Sequence, residues 1–504
     1  MSTLPLWLQE LLPIAMLLGV VAIVLARVPR AEGISHSPAF LRRRVFNWLP
    51  LGLLYAMLYF GRYNLKVSQS AFGDIRVDDV PLMTNQGFAT IFLYGTLVYG
   101  GSFLFNGPLT DRIGGKRAIL ISGAGAAAMN ALMGAVTWSA LHDGPGAEFA
   151  RHNLTAIFSV LYAVNMYFQS FGAVAIVKVN TPWFHLRERG VIGAIFGILI
   201  SLGLYFAFDW SKLLLTLFRA DFRGAEIARV DLVFFVPALF LVLLWLAVAS
   251  QVKDTPKDAG FADFDTADAT SALGTGERMG SLQVFRLMVK SPVIMTIACV
   301  EFCSGYLRQA IMQWYGSFAK QTDTVLHLKS GFVNAHWGML LCCAGILGGV
   351  VAGLISDRVF QSRRGPVAGI LYAAMLAGSL VLTLAYKTPA VGWIVVAMSM
   401  CVIGVHGMLS GTASMDFGGK QNVGVVVGII DGFVYAGTAL MSLVYGALLP
   451  DDTDKAAAAN PDNWLAWPLA MIPVALVGLL LALRVWNAKP QAKKAAEPAP
   501  AEAA

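Results

Sequence analysis

The chain contains 504 residues, of which 57% are hydrophobic and only 13% are charged. A soluble protein normally carries about a quarter charged residues, so this composition excludes an ordinary soluble domain. The formal net charge of +7 lies mostly in short loops and in the terminal tail, where it indicates membrane topology rather than nucleic-acid binding.

Long apolar blocks recur along the chain, and each has the length that crosses the hydrocarbon core of a bilayer as a helix. Because a backbone in lipid must satisfy its own hydrogen bonds, such repeated blocks predict a helical bundle. Hydropathy gives thirteen segments, near residues 6–26, 46–68, 88–108, 118–139, 154–178, 191–209, 231–252, 292–319, 334–355, 367–386, 391–411, 422–449 and 464–486. The first is interpreted as an extra transmembrane helix before a twelve-helix body. The alternative is a helix along the membrane surface.

Breaks in the apolar pattern predict the domain boundaries. The predicted parts are an extra N-terminal helix with a basic linker (1–44), a six-helix bundle (45–252), a flexible cytoplasmic linker (253–289), a second six-helix bundle (290–487) and a disordered cytoplasmic tail (488–504). Lys and Arg are concentrated in loops on one side, which the positive-inside rule assigns to the cytoplasm. We therefore expect a multi-pass protein of the inner (plasma) membrane with its C-terminus inside and the extra N-terminus outside.

The two predicted bundles share a sequence signature. Residues 107–112 read GPLTDR and residues 353–358 read GLISDR, and a basic stretch follows each motif. An arginine lies inside the first helix of each half, and Asp111 follows Arg62 by 49 residues, as Asp357 follows Arg308. Parallel repeats of this kind build transporters whose halves move about a site near the middle of the membrane.

Arg62 and Arg308 are the main candidates for substrate binding. Arginine at the centre of a membrane helix is costly to insert, so it is rare and usually functional. Both lie at similar depth, and the repeat predicts that they face each other between the halves. Two permanent positive charges there would repel unless an anion bridged them, and guanidinium groups match phosphate oxygens in a bidentate manner. In the alternative, each arginine pairs with an acid of its own half, with Glu301 as the candidate partner of Arg308.

Tyrosines accompany both arginines. Tyr55, Tyr59 and Arg62 follow helical spacing, which places them on one face of their helix. Tyr99 in the next segment and Tyr306 beside Arg308 are further candidates for hydroxyl donors to a substrate. For each tyrosine taken alone, packing or a position at the lipid interface is an equal alternative.

Charged residues in the repeated motifs are candidates for contacts that hold one conformation. This conformational set comprises Asp111, Arg112, Asp357, Arg358 and Glu301. The alternative for the loop residues is that their charge only sets membrane topology. His336, His406 and Asp431 also lie inside apolar segments, where the histidines are either packed neutral side chains or proton carriers. The five cysteines lack the spacing of a metal site and no nucleotide-binding loop is found, so no metal or cofactor is expected.

At these residues the chain resembles the organophosphate:phosphate antiporter family of the major facilitator superfamily. The resemblance spans about residues 45–487 and depends on YFGRYNL, GPLTDRIGGKR, RERG, YLRQAIMQW and GLISDRVFQSRR. It implies an all-α membrane protein with the major-facilitator fold, built from two pseudo-symmetric six-helix bundles. It also implies that Arg62 and Arg308 bind the substrate phosphate, and that Tyr55, Tyr59, Tyr99 and Tyr435 occupy positions of family tyrosines.

The chain departs from the glycerol-phosphate members of that family around the arginines. Phe103 stands where they have a lysine, Ile200 where they have a histidine, and Cys342 where they have a glutamate. The family tyrosine before the second arginine falls on Gly305, with Tyr306 shifted by one position. The resemblance therefore implies a retained phosphate clamp within an altered surrounding site.

The sequence is interpreted as a secondary active transporter, not an enzyme. Its expected cargo is a small organic phosphate or similar anion, exchanged for inorganic phosphate through alternating access. One alternative is a sugar-phosphate sensor that signals to a membrane kinase, and another is a carrier of a different organic anion. The expected partners are the small anion and membrane lipid, without nucleic acid, and a monomer is expected.

Overall fold

The computed structural model describes residues 15, 36–78, 80–185, 189–222, 224–262, 281–360, 364–451 and 453–487. Apart from residue 15, the extra N-terminal helix predicted at 6–26 lies outside the described residues, as does the predicted tail at 488–504. The extra helix, the tail and the remaining domain boundaries therefore stay predictions.

The first half consists of helices and two short antiparallel hairpins. Its helices and strands are α1 (Pro38–Phe72), β1 (Arg76–Val77), β2 (Val80–Pro81), α2 (Asn85–Ile113), α3 (Gly115–Leu141), α4 (Ala147–His152), α5 (Leu154–Asn180), α6 (Arg189–Tyr205), α7 (Ser211–Leu217), β3 (Arg219–Phe222), β4 (Ala225–Ala228) and α8 (Leu232–Gln251). A π-helical turn, Phe206–Trp210, joins α6 to α7, and a 3₁₀ turn, Thr181–Trp183, follows α5. In the hairpins Arg76 pairs with Pro81 and Arg219 pairs with Ala228.

All regular secondary structure described in the second half is helical. Its helices are α9 (Ser281–Lys290), α10 (Pro292–Gln321), α11 (Asp323–Leu326), α12 (Phe332–Ala335), α13 (Trp337–Leu354), α14 (Arg364–Ala385), α15 (Val391–His406), α16 (Ser414–Leu448), α17 (Lys455–Ala459), α18 (Ala466–Leu469) and α19 (Met471–Arg484). The 3₁₀ turns Lys257–Ala259 and Pro461–Trp464 precede α9 and α18, and π-helical turns, Ile355–Val359 and Gly407–Ala413, follow α13 and α15.

Within the described residues, nine helical segments are long and apolar enough to cross a membrane. Helices α1 and α10 fall outside this set, and they are the two that carry Arg62 and Arg308. The apolar helix α13 is shorter. Together these twelve segments form the predicted body, and the two candidate arginines lie on helices outside the apolar set.

The packing of the helices repeats between the two halves. Helix α1 contacts α6 and α8 in the first half, and α10 contacts α16 and α19 in the second. Helices α3 and α5 likewise correspond to α14 and α15. Between the halves, α2 packs along α16 and α13 packs on α6, which are equivalent contacts under the same correspondence. The predicted pseudo-symmetric arrangement of two six-helix bundles is confirmed.

Glycines allow the closest approach between the halves. A β-carbon at Gly107 of α2 would lie 2.5 Å from the carbonyl oxygen of Gly424 on α16, and one at Gly424 would lie 2.6 Å from the carbonyl oxygen of Gly107. Any side chain here would collide with backbone, so these two helices approach as closely as small residues permit in membrane bundles.

Both ends of the predicted flexible linker, residues 253–289, contact the helical bundles. Asp254 accepts a hydrogen bond of 2.7 Å from the backbone nitrogen of Lys116 in the first turn of α3, where a carboxylate is favoured by the helix dipole. Burial raises the pKa of the Asp254 carboxyl. Asn47 accepts from the backbone nitrogen of Lys253 at 2.7 Å. Helix α9 packs on α10 and α16. Residues 263–280, between these ends, lie outside the described part of the chain.

Candidate substrate site between the two halves

Arg62 is buried between the halves, with only 1% of its surface exposed. Its guanidinium group donates three hydrogen bonds, from Nε to Gln169 Oε1 at 2.8 Å, from Nη1 to the Tyr435 hydroxyl at 2.7 Å and from Nη2 to the Tyr99 hydroxyl at 2.8 Å. Tyr435 belongs to α16 in the second half, so this arginine connects the two bundles. All three acceptors are neutral, so the positive charge of Arg62 is not compensated by these contacts.

Aromatic rings surround the same guanidinium group. Its central carbon lies 4.4 Å from the ring centroid of Tyr99 and 4.8 Å from that of Tyr59. Tyr55 packs edge-on against Tyr59, with ring centroids 5.4 Å apart. Such ring faces stabilise a desolvated cation by cation–π attraction. The tyrosines therefore hold Arg62 in place without neutralising it.

Arg308 is also buried, with 4% of its surface exposed, but it is bound differently. Its Nε and Nη2 atoms have no hydrogen-bond partner within the described residues. Both guanidinium groups act electrostatically on Tyr59, so they converge on one region. Buried polar groups nearly always have partners, and an unsatisfied charged donor therefore indicates a place where a ligand binds.

The alternative in which the arginines pair with acids of their own halves is not the arrangement observed. No ion pair joins either Arg62 or Arg308 to a carboxylate within the described part of the chain. Glu301, the candidate partner of Arg308, instead contacts His406, with Oε2 and Nδ1 2.8 Å apart. The positive charges remain available to an anion.

A cavity of about 80 Å³ lies between the halves, beside tyrosines that contact Arg62. Four of the predicted tyrosines line it, namely Tyr55, Tyr59, Tyr99 and Tyr435. Apolar residues of α5 and α6 form one wall, and polar residues of the second half form another, namely His406, Ser410 and Asp431. Ile200, at a position where related transporters are expected to have histidine, also lines the cavity.

Tyr306 is the predicted site residue that the structure places elsewhere. Its ring packs against Tyr445, with centroids 5.8 Å apart, and it is not among the residues that line the cavity. At 3.6 residues per turn, a residue two positions before Arg308 points roughly 160° away from it around the helix. Tyr306 points away from Arg308 in this structure, and its contribution of a hydroxyl to the site stays a prediction.

Sequence reasoning missed a second buried cation on α1. Lys66, 6% exposed, donates to Ser317 Oγ of the second half at 2.7 Å and lies 4.4 Å above the ring of Phe88. Gln169, which binds Arg62, was missed as well. The available signal was helical spacing, because Lys66 follows Arg62 by one turn inside the YFGRYNLK stretch.

The predicted conformational residues of the first motif differ in their surroundings. Asp111 Oδ1 binds Lys178 Nζ at 2.6 Å, a contact between α2 and α5 within one half. The same carboxylate also accepts hydrogen bonds from the backbone of Gly424 and Val425 in the second half. Arg112 is exposed. Asp111 therefore contacts the partner bundle through backbone rather than through a basic side chain.

The remaining conformational residues give less information. Asp357 and Arg358 lie in the π-helical turn after α13, and their side chains are outside the described part. Glu301 lies in the interior of the second half, with His406 as its partner. The roles assigned to all five residues stay predictions.

Polar contacts join the two halves near the C-terminal end of α1. Lys320 Nζ of α10 donates to Asp74 Oδ1 at 2.8 Å and to the backbone oxygen of Ser70 at 2.6 Å. Asn85 at the start of α2 donates to Gln321 Oε1 and to the backbone oxygen of Pro450, each at 3.1 Å. The halves are therefore in contact at this end.

Replacing Lys320 by glutamine is expected to lower the free energy of unfolding by less than about 1 kcal/mol, because exposed ion pairs contribute little. The side chain of Asp74 is 70% exposed, which places this pair in that class. Thermal unfolding of the purified variant in detergent measures the effect. A larger loss of stability would show that this contact is a principal link between the halves near the C-terminal end of α1.

Comparison with known proteins agrees with this fold. The sequence profile described as Major Facilitator Superfamily matches residues 51–442. The chain has a fold similar to a bacterial homologue of the human lysosomal transporter Spinster in an inward-facing, unoccupied conformation, with a TM-score of 0.61, 12% identity and coverage of 90% of this chain and 97% of that one. A D-xylose–proton symporter gives a TM-score of 0.57, 13% identity and coverage of 87% and 97%.

Relatives with assigned activities are similar in sequence. The glycerol-3-phosphate transporter of Bacillus subtilis is 22% identical over 490 residues, covering 91% of this chain and 96% of that one. A probable hexose phosphate transport protein of Chlamydia pneumoniae is 22% identical and covers 68% and 73%. The membrane sensor protein UhpC of Salmonella typhimurium is 24% identical and covers 80% and 84%.

These similarities confirm the predicted resemblance to organophosphate transporters and agree with the prediction that the chain is not an enzyme. The nine apolar helices and the family match together make it a multi-pass membrane protein. The chain belongs to the Major Facilitator Superfamily of membrane transporters.

Proposed function

We propose that this chain is a secondary transporter of a small organic phosphate, which it exchanges for inorganic phosphate. The observation that carries the proposal is the pair of buried arginines between the halves, neither of which has a carboxylate partner among the described residues. The oxygens of a phosphate group can accept from both guanidinium groups, which are rigid and always charged. The relatives named as glycerol-3-phosphate and hexose phosphate transporters support this class of cargo.

The proposed mechanism is alternating access. Arg62 lies on α1 and Arg308 on the equivalent helix α10, so an anion bound to both belongs to neither half alone. Movement of one half against the other then exposes the anion to one side of the membrane at a time. Bound anion favours the closed arrangement only to the extent that it binds that arrangement more tightly. The contact of Asp111 with the backbone of Gly424 is a candidate for one that breaks and forms again.

Exchange in liposomes tests the proposal directly. Purified protein is reconstituted into vesicles loaded with unlabelled inorganic phosphate, and entry of labelled phosphate or labelled glycerol 3-phosphate is measured. We expect labelled anion to enter loaded vesicles and not empty ones, because exchange requires a counter-substrate. If folded protein gives no exchange with inorganic phosphate or with any phosphorylated solute tested, the proposal is wrong.

A sugar-phosphate sensor is a second candidate, favoured by the similarity to two membrane sensor proteins named UhpC. A sensor would bind the same class of ligand at the same arginines but would not carry flux. Saturable binding of a hexose phosphate without exchange in liposomes, together with co-purification of a membrane kinase, would support this candidate. Displacement of labelled phosphate by carboxylates instead of phosphates would favour a carrier of another organic anion.

We also propose that the protein lies in the inner (plasma) membrane with its basic loops and its C-terminus in the cytoplasm. We propose a monomer as the working unit. Single cysteines introduced at the C-terminal tail and in the β3–β4 hairpin test the orientation. A membrane-impermeant thiol reagent should label the hairpin and not the tail in intact cells. The opposite pattern would reverse the topology.

A further inference from the structure

A buried carboxylate–imidazole pair lies beside the cavity in the second half. Glu301 of α10 is fully buried, and its Oε2 atom lies 2.8 Å from Nδ1 of His406 on α15. The other carboxylate oxygen, Oε1, has no hydrogen-bond partner in the described part of the chain. His406 itself lines the cavity. The imidazole therefore joins the cavity to Glu301, which is not itself one of the lining residues.

A second acid, Asp431 of α16, lines the same wall of the cavity. Its Oδ1 accepts a hydrogen bond of 2.5 Å from the hydroxyl of Ser410. The titratable or charged groups around the Glu301–His406 pair come from four helices of the second half, namely Arg308 and Cys303 on α10, Tyr372 on α14, His406 on α15 and Asp431 on α16. Across the cavity, Tyr99 of α2 also lies within the field of Asp431.

The formal charge of this region changes sign when an anion binds. Arg62, Arg308 and Lys66 supply three positive charges, and Glu301 and Asp431 supply two negative charges when ionised. A phosphate dianion added to this set would leave one negative charge in excess inside a buried site. Uncompensated charge in such a site is strongly unfavourable, so binding favours the gain of a positive charge nearby.

We propose that the anion binds together with a proton, which the Glu301–His406 pair takes up through the cavity. The proton comes from the aqueous side to which the cavity is open and is released when the anion leaves. This inference rests on the anion binding proposed above and adds a second transported species. Because each exchanged anion carries its own proton, strict exchange moves no net protons, and the proton serves to offset the charge of the bound anion.

Titration calorimetry measures how many protons the protein takes up when the anion binds. The full chain, purified in detergent at pH 8, is titrated with glycerol 3-phosphate, and with inorganic phosphate as a second probe, in two buffers that differ in ionisation enthalpy. A phosphate monoester has a second pKa of about 6, so glycerol 3-phosphate is already a dianion and any buffer-dependent heat reports a proton taken up by the protein. We expect uptake of about one proton per anion bound by the unchanged chain.

Substitutions test which residues take up the proton. In Glu301→Gln, which keeps the shape and can still bind His406, we expect the anion to bind with little or no proton uptake. Asp209→Asn is the matched control, because Asp209 is a buried acid elsewhere that accepts from the backbone nitrogens of Gly338 and Met339 at 2.9 and 2.8 Å. A purely structural role for Glu301 would change affinity or stability but leave the proton count at its original value.

Each outcome separates the two proposals. Anion binding by the unchanged chain without buffer-dependent heat would overturn the proton inference and leave the proposed function standing. Absence of binding by both probes would overturn both. Loss of proton uptake in Asp431→Asn, with uptake retained in Glu301→Gln, would place the proton on the other acid and contradict the assignment to the Glu301–His406 pair.

Discussion

Replacing Arg308 by glutamine is expected to reduce phosphate exchange in liposomes by about 100-fold or more. Hydrogen bonds to charged groups contribute about 1.5–3 kcal/mol each, and each 1.4 kcal/mol corresponds to a factor of ten. Nε and Nη2 of Arg308 are buried without a partner among the described residues, so their donors are free to bind the anion. Glutamine retains part of the side-chain volume but loses the charge and the forked donors. Initial rates of labelled phosphate entry measure the loss.

Lys320→Gln provides the matched control, because it removes one positive charge from the same helix, twelve residues further on. Lys320 contacts Asp74 near the C-terminal end of α1 and does not line the cavity. We expect its exchange rate to stay within about fivefold of the unchanged chain, in keeping with the small contribution of exposed ion pairs. If the two variants lose activity equally, or if Arg308→Gln retains it, Arg308 is not the anion ligand.

Replacing Gly305 by alanine is expected to lower stability and to weaken anion binding together. A β-carbon at Gly305 on α10 would collide with the backbone carbonyl of Val434 on α16. The two helices would have to separate, and overpacking of this kind costs about 1–3 kcal/mol. Arg308 lies one turn after Gly305, and Tyr435 directly follows Val434, so separation also changes the distance between an anion ligand and the partner of Arg62. Thermal unfolding and calorimetric titration with phosphate measure both effects.

Gly316→Ala on the same helix is the control with the opposite expectation. Apart from its chain neighbours and the backbone of its own helix, no described heavy atom lies within 4 Å of a β-carbon built at Gly316. Alanine is favoured over glycine inside a helix by about 0.8–1 kcal/mol, so this variant should be as stable as the unchanged chain or slightly more stable. If Gly305→Ala and Gly316→Ala have the same stability and the same affinity for phosphate, close packing of α10 on α16 is not required for either property.

The sequence by itself determined the class of the protein and the depth of its candidate ligands. Apolar blocks of membrane length, two copies of one motif and equal spacing from Arg62 and Arg308 are local features, and the twelve-helix body and its repeat agree with them. The proposal that two arginines recognise phosphate also comes from residue type, because the guanidinium charge does not depend on the fold. The extent of the linker could not be predicted from the sequence, because the polar residues 253–261 and helix α9 pack against the bundles.

Only the tertiary structure decided which side chains meet. Tyr435 binds Arg62 from 373 positions away, and Glu301 turns to His406 rather than to Arg308 on its own helix. Tyr306, two positions from Arg308, faces Tyr445 instead of the cavity. The physical reason is rotation: each residue advances about 100° around a helix, so a shift of one position redirects a side chain. Hydropathy constrains where a helix lies in the membrane, but its rotation is set by packing against neighbours distant in the chain.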